Sequence, residues 1–321
     1  MTARLPEAAL IGAGIVDIPL VPVRREMFEG TGSQSLERIA LGVGGDALNE
    51  AMLLTRLGHP AMLVSVIGED AAGDIVLRAL DEAGVDRGCV VRRPGLDTGV
   101  NVVMVRGDGE RGFITSRSGS LRRLCLSDIL PALETPAFAG VKVACLASLF
   151  VSEALTIPDM TALFDAIRAK GKLLCADATR RKRGETLKEA GAMLSRLDYF
   201  FPNLEEAALL TGTDDPDDAA DALLGCGVGR VAIKLGARGC LLKGRDERHL
   251  IPAFPGAKCV DTTGAGDTFA AAFIAGLLEG RSFADCGRLA NAAASLCVEH
   301  VGANTGAWTR RDVEERLGSR D

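Results

Sequence analysis

Apolar positions along this chain alternate between short continuous runs and stretches spaced by three and four residues. Residues 8–18 (AALIGAGIVDI) form an apolar run broken by two glycines, which predicts a buried strand and the turn after it. Residues 48–57 (LNEAMLLTRL) carry helical spacing and stop at Gly58, a C-terminal capping position. A second buried strand is predicted at 61–67, then an amphipathic helix at 71–83 ending before Gly84. The segments 98–105 and 111–116 flank the turn GDGE at 107–110 and predict a hairpin, an antiparallel flap on the main pattern. From Lys142 the alternation resumes, with strands at 142–147, 172–176, 198–201 and 230–235. Helices are expected at 159–169, 186–195, 204–210 and 217–224. Hairpin strands near 239–251 and helices at 265–279 and 285–298 follow. Strands alternating with helices over short loops predict an α/β fold, a mostly parallel central sheet with helices on both faces. We expect one domain over 1–321 with a small β lid from segments near 16–40 and 97–118, and a charged peripheral helix in the tail TRRDVEERLGSRD.

Composition narrows the class. Aromatic residues make up only 4%, with one Trp and one Tyr, so the core must be built from Ala, Val, Leu and Ile. The formal net charge is −6 and no basic run tracks a phosphate backbone, which argues against nucleic acid as partner. Nine dispersed cysteines without a CxxC pair read as reduced thiols, so the cytoplasm is the expected location. Three histidines, none beside a cysteine pair, argue against a zinc site. The N-terminus lacks a leader pattern, and no run of about 20 apolar residues predicts a membrane span.

The candidate chemistry lies in two glycine-rich segments. Asp261-Thr-Thr-Gly-Ala-Gly-Asp267 opens the apolar helix AAAFIAGLLEG. A Gly-Ala-Gly step lets backbone approach a ligand closely, and the helix start collects unpaired N–H groups at the positive end of its dipole. That is an anion site suited to a transferring phosphoryl group. Read locally, Asp267 serves equally as a plain helix cap. Upstream, Gly44-Gly45-Asp46-Ala-Leu-Asn49 again leads paired glycines into polar side chains before a helix. Each segment is weak alone; the pair is specific.

Together GGDALN at 44–49 and DTTGAGDTF at 261–269 resemble the two hallmark motifs of the ribokinase-like (PfkB) carbohydrate kinases, and the likeness covers essentially the whole chain. The resemblance implies ATP-dependent phosphorylation of a sugar hydroxyl. Asp267 would be the general base, with the amides of Gly264, Ala265 and Gly266 as anion hole. Asn203 and Glu206, in the N-x-x-E element, would organise Mg²⁺ and ATP phosphates, Glu206 through water. Lys234, Gly236, Gly239 and Asn291 would border the nucleotide. Asp17, Gly45, Asp46, Asn49 and Asn101 would hold the acceptor, with Phe113 closing from above. Asp261 and the loop at Gly302, Ala303 and Asn304 resemble a K⁺ site, and family members often dimerise through such lids. Asp46 stands where ribokinase itself has a basic residue, which disfavours a phosphorylated or carboxylated acceptor. Arg180, Arg181, Lys182 and Arg183 form a basic cluster, either a solvated loop or a reach toward phosphates.

Other readings fare worse. Gly12-Ala-Gly14-Ile-Val-Asp17 fails as a dinucleotide fingerprint because an acid replaces the third glycine. No GxxxxGK[ST] loop occurs. A non-catalytic sugar or nucleotide sensor on the same fold would have no need of GAGD. A nucleoside kinase of the family remains the alternative, although the lid offers a nucleobase few aromatic surfaces.

Overall fold

In the structure, a computed structural model, residues 4–24, 27, 32–106, 111–179 and 184–318 are described. The turn at 107–110, the basic cluster at 180–183 and the last three residues of the tail lie outside them. Strands are numbered along the chain. The main sheet contains β1 (Ala8–Ile11), β5 (Ala61–Gly68), β6 (Asp86–Arg93), β9 (Val143–Leu149), β10 (Leu173–Ala178), β11 (Tyr199–Phe201), β12 (Arg230–Lys234), β13 (Cys240–Gly244) and β14 (Arg248–Ile251). Their order is β14-β13-β12-β11-β10-β9-β1-β5-β6, parallel from β12 to β6 and antiparallel at β13 and β14. A second sheet holds β2 (Ile15–Val23), β3 (Arg38–Ile39), β4 (Gly42–Gly44), β7 (Val100–Arg106) and β8 (Arg111–Thr115).

Helices cover both faces of the main sheet because its strands are apolar on both sides. Within β1, Ala8 and Leu10 join one core and Ala9 and Ile11 the other. The first core packs against the helices Asp46–Arg56, Ala265–Leu278 and Phe283–Cys297. The second packs against Ile157–Ala169, Leu187–Leu194 and Pro216–Gly225. The Ala265–Leu278 helix is buried from Thr268 to Gly276, as a helix apolar all round must be. Beneath it Phe273 packs against Phe201 and Phe269 in tilted contacts, at 5.0 and 6.0 Å between ring centres, and edge-on against Phe283 at 5.8 Å.

Two differences from the sequence reading have physical causes. The run at 8–18 holds the expected strand and turn and then a further strand: Gly12, at φ 153°, and the residues after it pass the chain from β1 into β2 of the second sheet. β6 escaped prediction because it is an edge strand, and its DRGCVVRR sequence is largely polar and half exposed.

The chain runs outward on one side of β1 and, after β9, on the other. This reversal between β1 and β9 opens a crevice beyond the C-terminal ends of the strands, where parallel sheets bind ligands. Ser148 (φ 58°) and Phe150 (φ 70°), two non-glycine residues with left-handed backbone, line that edge with Gly12 and Ala13.

Candidate active site

Helix starts and strand ends meet in the crevice. Gly264 begins the Ala265–Leu278 helix at φ 75°, and a Cβ there would stand 2.4 Å from the Ala303 Cβ, so only glycine fits. Of the three amides in the motif, Ala265 N–H donates to the Thr262 carbonyl at 3.2 Å. Gly264 and Gly266 N–H have no hydrogen bond among the described residues and remain for an anion.

Asp267 sits in the first turn of that helix. Its Oδ2 accepts from Asn49 Nδ2 at 2.6 Å, and Asn49 Oδ1 accepts from Asn304 Nδ2 at 2.5 Å. Asn49 is delivered by the Asp46–Arg56 helix, whose start is pinned because Gly45 (φ 96°) lies against the Ala13 carbonyl. Burial raises the Asp267 carboxyl to about 6; Asn49 and Lys234 oppose the rise, and Asp177 and Asp17 add to it. A carboxylate lifted so far is a better proton acceptor than an ordinary Asp. The capping position itself is taken by Gly264, so Asp267 is not the helix cap.

Lys234, at the end of β12, donates to Asp177 Oδ1 at 2.7 Å and Oδ2 at 2.8 Å. A Cβ on Gly266 would stand 3.3 Å from Lys234 Nζ, so this ammonium lies at the mouth of the Gly-Ala-Gly turn. Burial works against its charge, but Asp177 and Glu206 beside it together raise its pKa above the ordinary value. Asn203 and Glu206 cap the Leu204–Thr211 helix reciprocally: Asn203 Oδ1 accepts from Glu206 N at 2.8 Å and Glu206 Oε2 from Asn203 N at 2.7 Å. Burial lifts Glu206 to about 7, against the pull of Lys234. Burial raises the Asp46 carboxyl well above the usual range; Asp267 and Asp177 add to the rise and Lys234 opposes it.

Sequence reasoning missed Asp177 and Glu50. Asp177 stands next to last in β10, where a polar residue near the end of a buried parallel strand was the available signal. Glu50 follows the motif residue Asn49 on the buried face of its helix, fully inaccessible, and neither carboxyl oxygen has a hydrogen-bond partner among the described residues. Burial pushes Glu50 well above the usual carboxylate range; Asp177, Asp267 and Asp46 add to this, and the Cys145 thiol offsets a little. Because the unfolded chain gives up this proton near pH 4.3 and the folded one holds it, wild-type stability falls as pH rises above that point. Glu50→Gln removes the loss. Its stability relative to wild type should grow by up to about 1.4 kcal/mol per pH unit between roughly pH 4.5 and the folded pKa. Denaturant midpoints at pH 4.5, 6 and 7.5 measure this; a gap that is constant with pH would mean that Glu50 is not held protonated.

On the other side of the crevice, Asp17 on β2 pairs in register with Asn101 on β7. A Cβ on Gly44 would overlap Asp17 Oδ2 at 2.0 Å, so any side chain there would displace the Asp17 carboxylate. Asp17 Oδ1 and Asn101 Oδ1 are buried with no hydrogen-bond partner among the described residues, which leaves two acceptors open to donors. Burial raises the Asp17 pKa and Asn101 opposes the rise. Phe113 is two residues from Thr115, the register partner of Asn101, so strand alternation puts it on the same face; it is 58% exposed.

The remaining residues shape backbone. Gly236 (φ 60°) and Gly239 (φ 93°) form the tight turn after β12, and a Cβ on Gly239 would overlap the Ile251 carbonyl. Asn291 Nδ2 donates to the Ile251 and Pro252 carbonyls at 3.1 and 3.3 Å, tying its helix to the end of β14. Asp261 Oδ1 accepts from Thr263 N and Oγ1, and its Oδ2 from Gly302 N at 2.7 Å, which staples the 302–304 loop to the helix-opening turn. Among the described residues no group of three or more His, Cys, Asp and Glu is arranged to hold a metal ion, and no helix is long and apolar enough to cross a membrane.

Two glycine-opened helix starts, a buried carboxyl and a lysine ammonium thus meet in one crevice, with unpartnered acceptor oxygens across from them. A family model described as pfkB family carbohydrate kinase matches residues 7–310. The ribokinase of Arabidopsis thaliana is 31% identical, over 98% of this chain and 82% of its own. The 2-dehydro-3-deoxygluconokinase of Bacillus subtilis is 28% identical over 90% of each. A solved structure of the Arabidopsis thaliana ribokinase complexed with ribose and ATP superposes with a TM-score of 0.81 at 28% identity, covering 98% of this chain and 99% of that one. The chain belongs to the pfkB family of carbohydrate kinases: it is an ATP-dependent sugar kinase with the ribokinase-like α/β fold.

Proposed function

We propose that this kinase moves the γ-phosphoryl group of MgATP to a primary hydroxyl of a neutral polyhydroxylated acceptor. The observation that carries the reading is the Asn49–Asp267 hydrogen bond facing the Lys234 ammonium at the mouth of one helix. Asp267 takes the proton of the acceptor hydroxyl as it attacks. Lys234 and the N–H groups of Gly264 and Gly266 stabilise charge on the transferring group, a contribution of about 3–4 kcal/mol per well-placed donor. Magnesium, when bound, neutralises phosphate oxygens; Glu206, with one oxygen committed to Asn203, fits a role of holding it through water. Asp17 and Asn101 accept from acceptor hydroxyls with their unpartnered oxygens. The small sheet acts as the lid, and its closure excludes water.

The Arabidopsis relative, solved with ribose and ATP, supports a sugar acceptor. Asp17 and Asp267, beside the proposed acceptor position, disfavour a carboxylated one by like-charge repulsion. Nine free cysteines suit a reducing compartment, and we place the protein in the cytoplasm. A nucleoside is the second reading, because exposed Phe113 offers one stacking surface on the acceptor face.

ADP release with MgATP, measured across pentoses, hexoses, sugar acids and nucleosides, tests the proposal. Turnover with neutral sugars and none with sugar acids is expected. Turnover confined to sugar acids overturns the acceptor reading, and turnover confined to nucleosides selects the second. ATP binding without turnover on any acceptor favours a sensor.

A further inference from the structure

We infer that Asn304 is a positioning residue for phosphoryl transfer: its side chain decides which end of the Asn49 carboxamide meets Asp267. The inference rests on Asp267 acting as the base. A carboxamide has two ends of nearly equal size and opposite polarity, a donor nitrogen and an acceptor oxygen. Asn49 is 5% exposed, so solvent does little to choose between them. Asn304 Nδ2 donates to Asn49 Oδ1 at 2.5 Å, and this turns Asn49 Nδ2 toward Asp267 Oδ2 at 2.6 Å. The reverse orientation would set an amide oxygen against a carboxylate oxygen, with no proton between them.

Asn304 can act this way because its loop is held independently of its side chain. Arg56 Nη2 donates to the Asn304 backbone carbonyl at 3.0 Å, and the Arg56 guanidinium stacks over Trp308 at 5.0 Å from the ring centre. Asp261 holds Gly302 N–H, and Ala303 packs on Gly264 at the start of the catalytic helix. Changing the Asn304 side chain leaves all of these contacts in place. The charged and titratable groups that face Asp267 are Asp17 on β2, Asp46 and Glu50 on the Asp46–Arg56 helix, Asp177 on β10, Lys234 on β12 and Cys297 on the Phe283–Cys297 helix. Those also stay in Asn304→Ala, so a shift in that variant's pH profile reports on the Asn49 hydrogen bond, whereas Asn304→Asp adds a carboxylate that raises the Asp267 pKa by itself.

The test compares Asn304→Ala and Asn304→Asp with wild type and with Asp267→Asn, measuring kcat, both KM values and the pH dependence of kcat. An alanine leaves Asn49 free to turn. An aspartate, nearly isosteric, accepts from Asn49 Nδ2 and locks the carboxamide the wrong way round. We expect kcat to fall roughly tenfold or more in Asn304→Asp and by less in Asn304→Ala, with the KM for ATP within about threefold of wild type. The acid limb of kcat should move to higher pH in both, because a carboxylate that loses a donor holds its proton more tightly. Thermal midpoints close to wild type would exclude a folding defect. Wild-type kcat and an unmoved acid limb in both variants, with Asp267→Asn inactive, would overturn the positioning role alone. An active Asp267→Asn enzyme would instead overturn the base on which the inference rests.

Discussion

Replacing Asp267 by Asn should lower kcat by about two to four orders of magnitude, the usual worth of a general base, while ATP binding stays near wild type. The substitution keeps the shape of the side chain and leaves an oxygen for Asn49 Nδ2, so the loss isolates proton transfer. Two further readouts separate this from a general disturbance. The wild-type carboxyl, raised chiefly by burial to about 6, must be ionised to act, so kcat should fall as pH drops through that value, and the variant should lack this limb. Stability should move the other way. A carboxyl whose folded pKa exceeds its unfolded value costs the protein stability as pH rises from about 4 to the folded pKa, and an amide does not. The variant should therefore unfold at an equal or higher denaturant concentration at pH 7 while turning over far less substrate. A variant with near wild-type turnover would sink the assignment of the base.

Replacing Lys234 by Met should damage both folding and catalysis. Lys234 is 13% exposed and its partner Asp177 4%, so the change strands a buried carboxylate that held two hydrogen bonds. Breaking such a pair from one side costs about 3–5 kcal/mol when the orphan stays charged. Asp177 can escape part of that cost by keeping a proton, so the destabilisation should be small near pH 4 and grow toward pH 8. Adding Asp177→Asn should return most of the stability, because no charge is then left unpaired. It should not return turnover, since the ammonium at Gly266 is still missing. A double variant that recovers kcat would show that Lys234 serves the fold alone. Denaturant melts at two pH values, run beside ADP release, measure both effects.

Much of this architecture is legible in the sequence because its signals are local. The glycines at 44–45 and 264–266 announce the two helix starts, and apolar runs such as 61–67 announce parallel strands. What the sequence withholds is long-range. Nothing near Asn304 indicates that its amide reaches Asn49, 255 positions away in the chain. Asp177 and Lys234 stand 57 positions apart, and only the adjacency of β10, β11 and β12 makes them a pair. Glu50 sits at a core-facing helical position, where an acid contradicts the pattern around it, and such contradictions gather at functional sites. β6 was hidden because an edge strand has no need of an apolar sequence. The Asn203-to-Glu206 element shows the opposite limit: its spacing is visible, but a helix cap and a phosphate-side acid share the same two residues.

The route of the chain past Gly44 has a mechanical side. β4 pairs with β2, the strand that carries Asp17, and one residue after β4 ends, the helix bearing Asn49 begins. Gly45 is wedged on the Ala13 carbonyl, so the joint between sheet and helix has little slack. The small sheet and that helix are therefore joined across the glycine pair, and a sugar held by Asp17 and Asn101, as proposed, would lie at one end of the same short stretch of backbone that carries Asn49 at its other end.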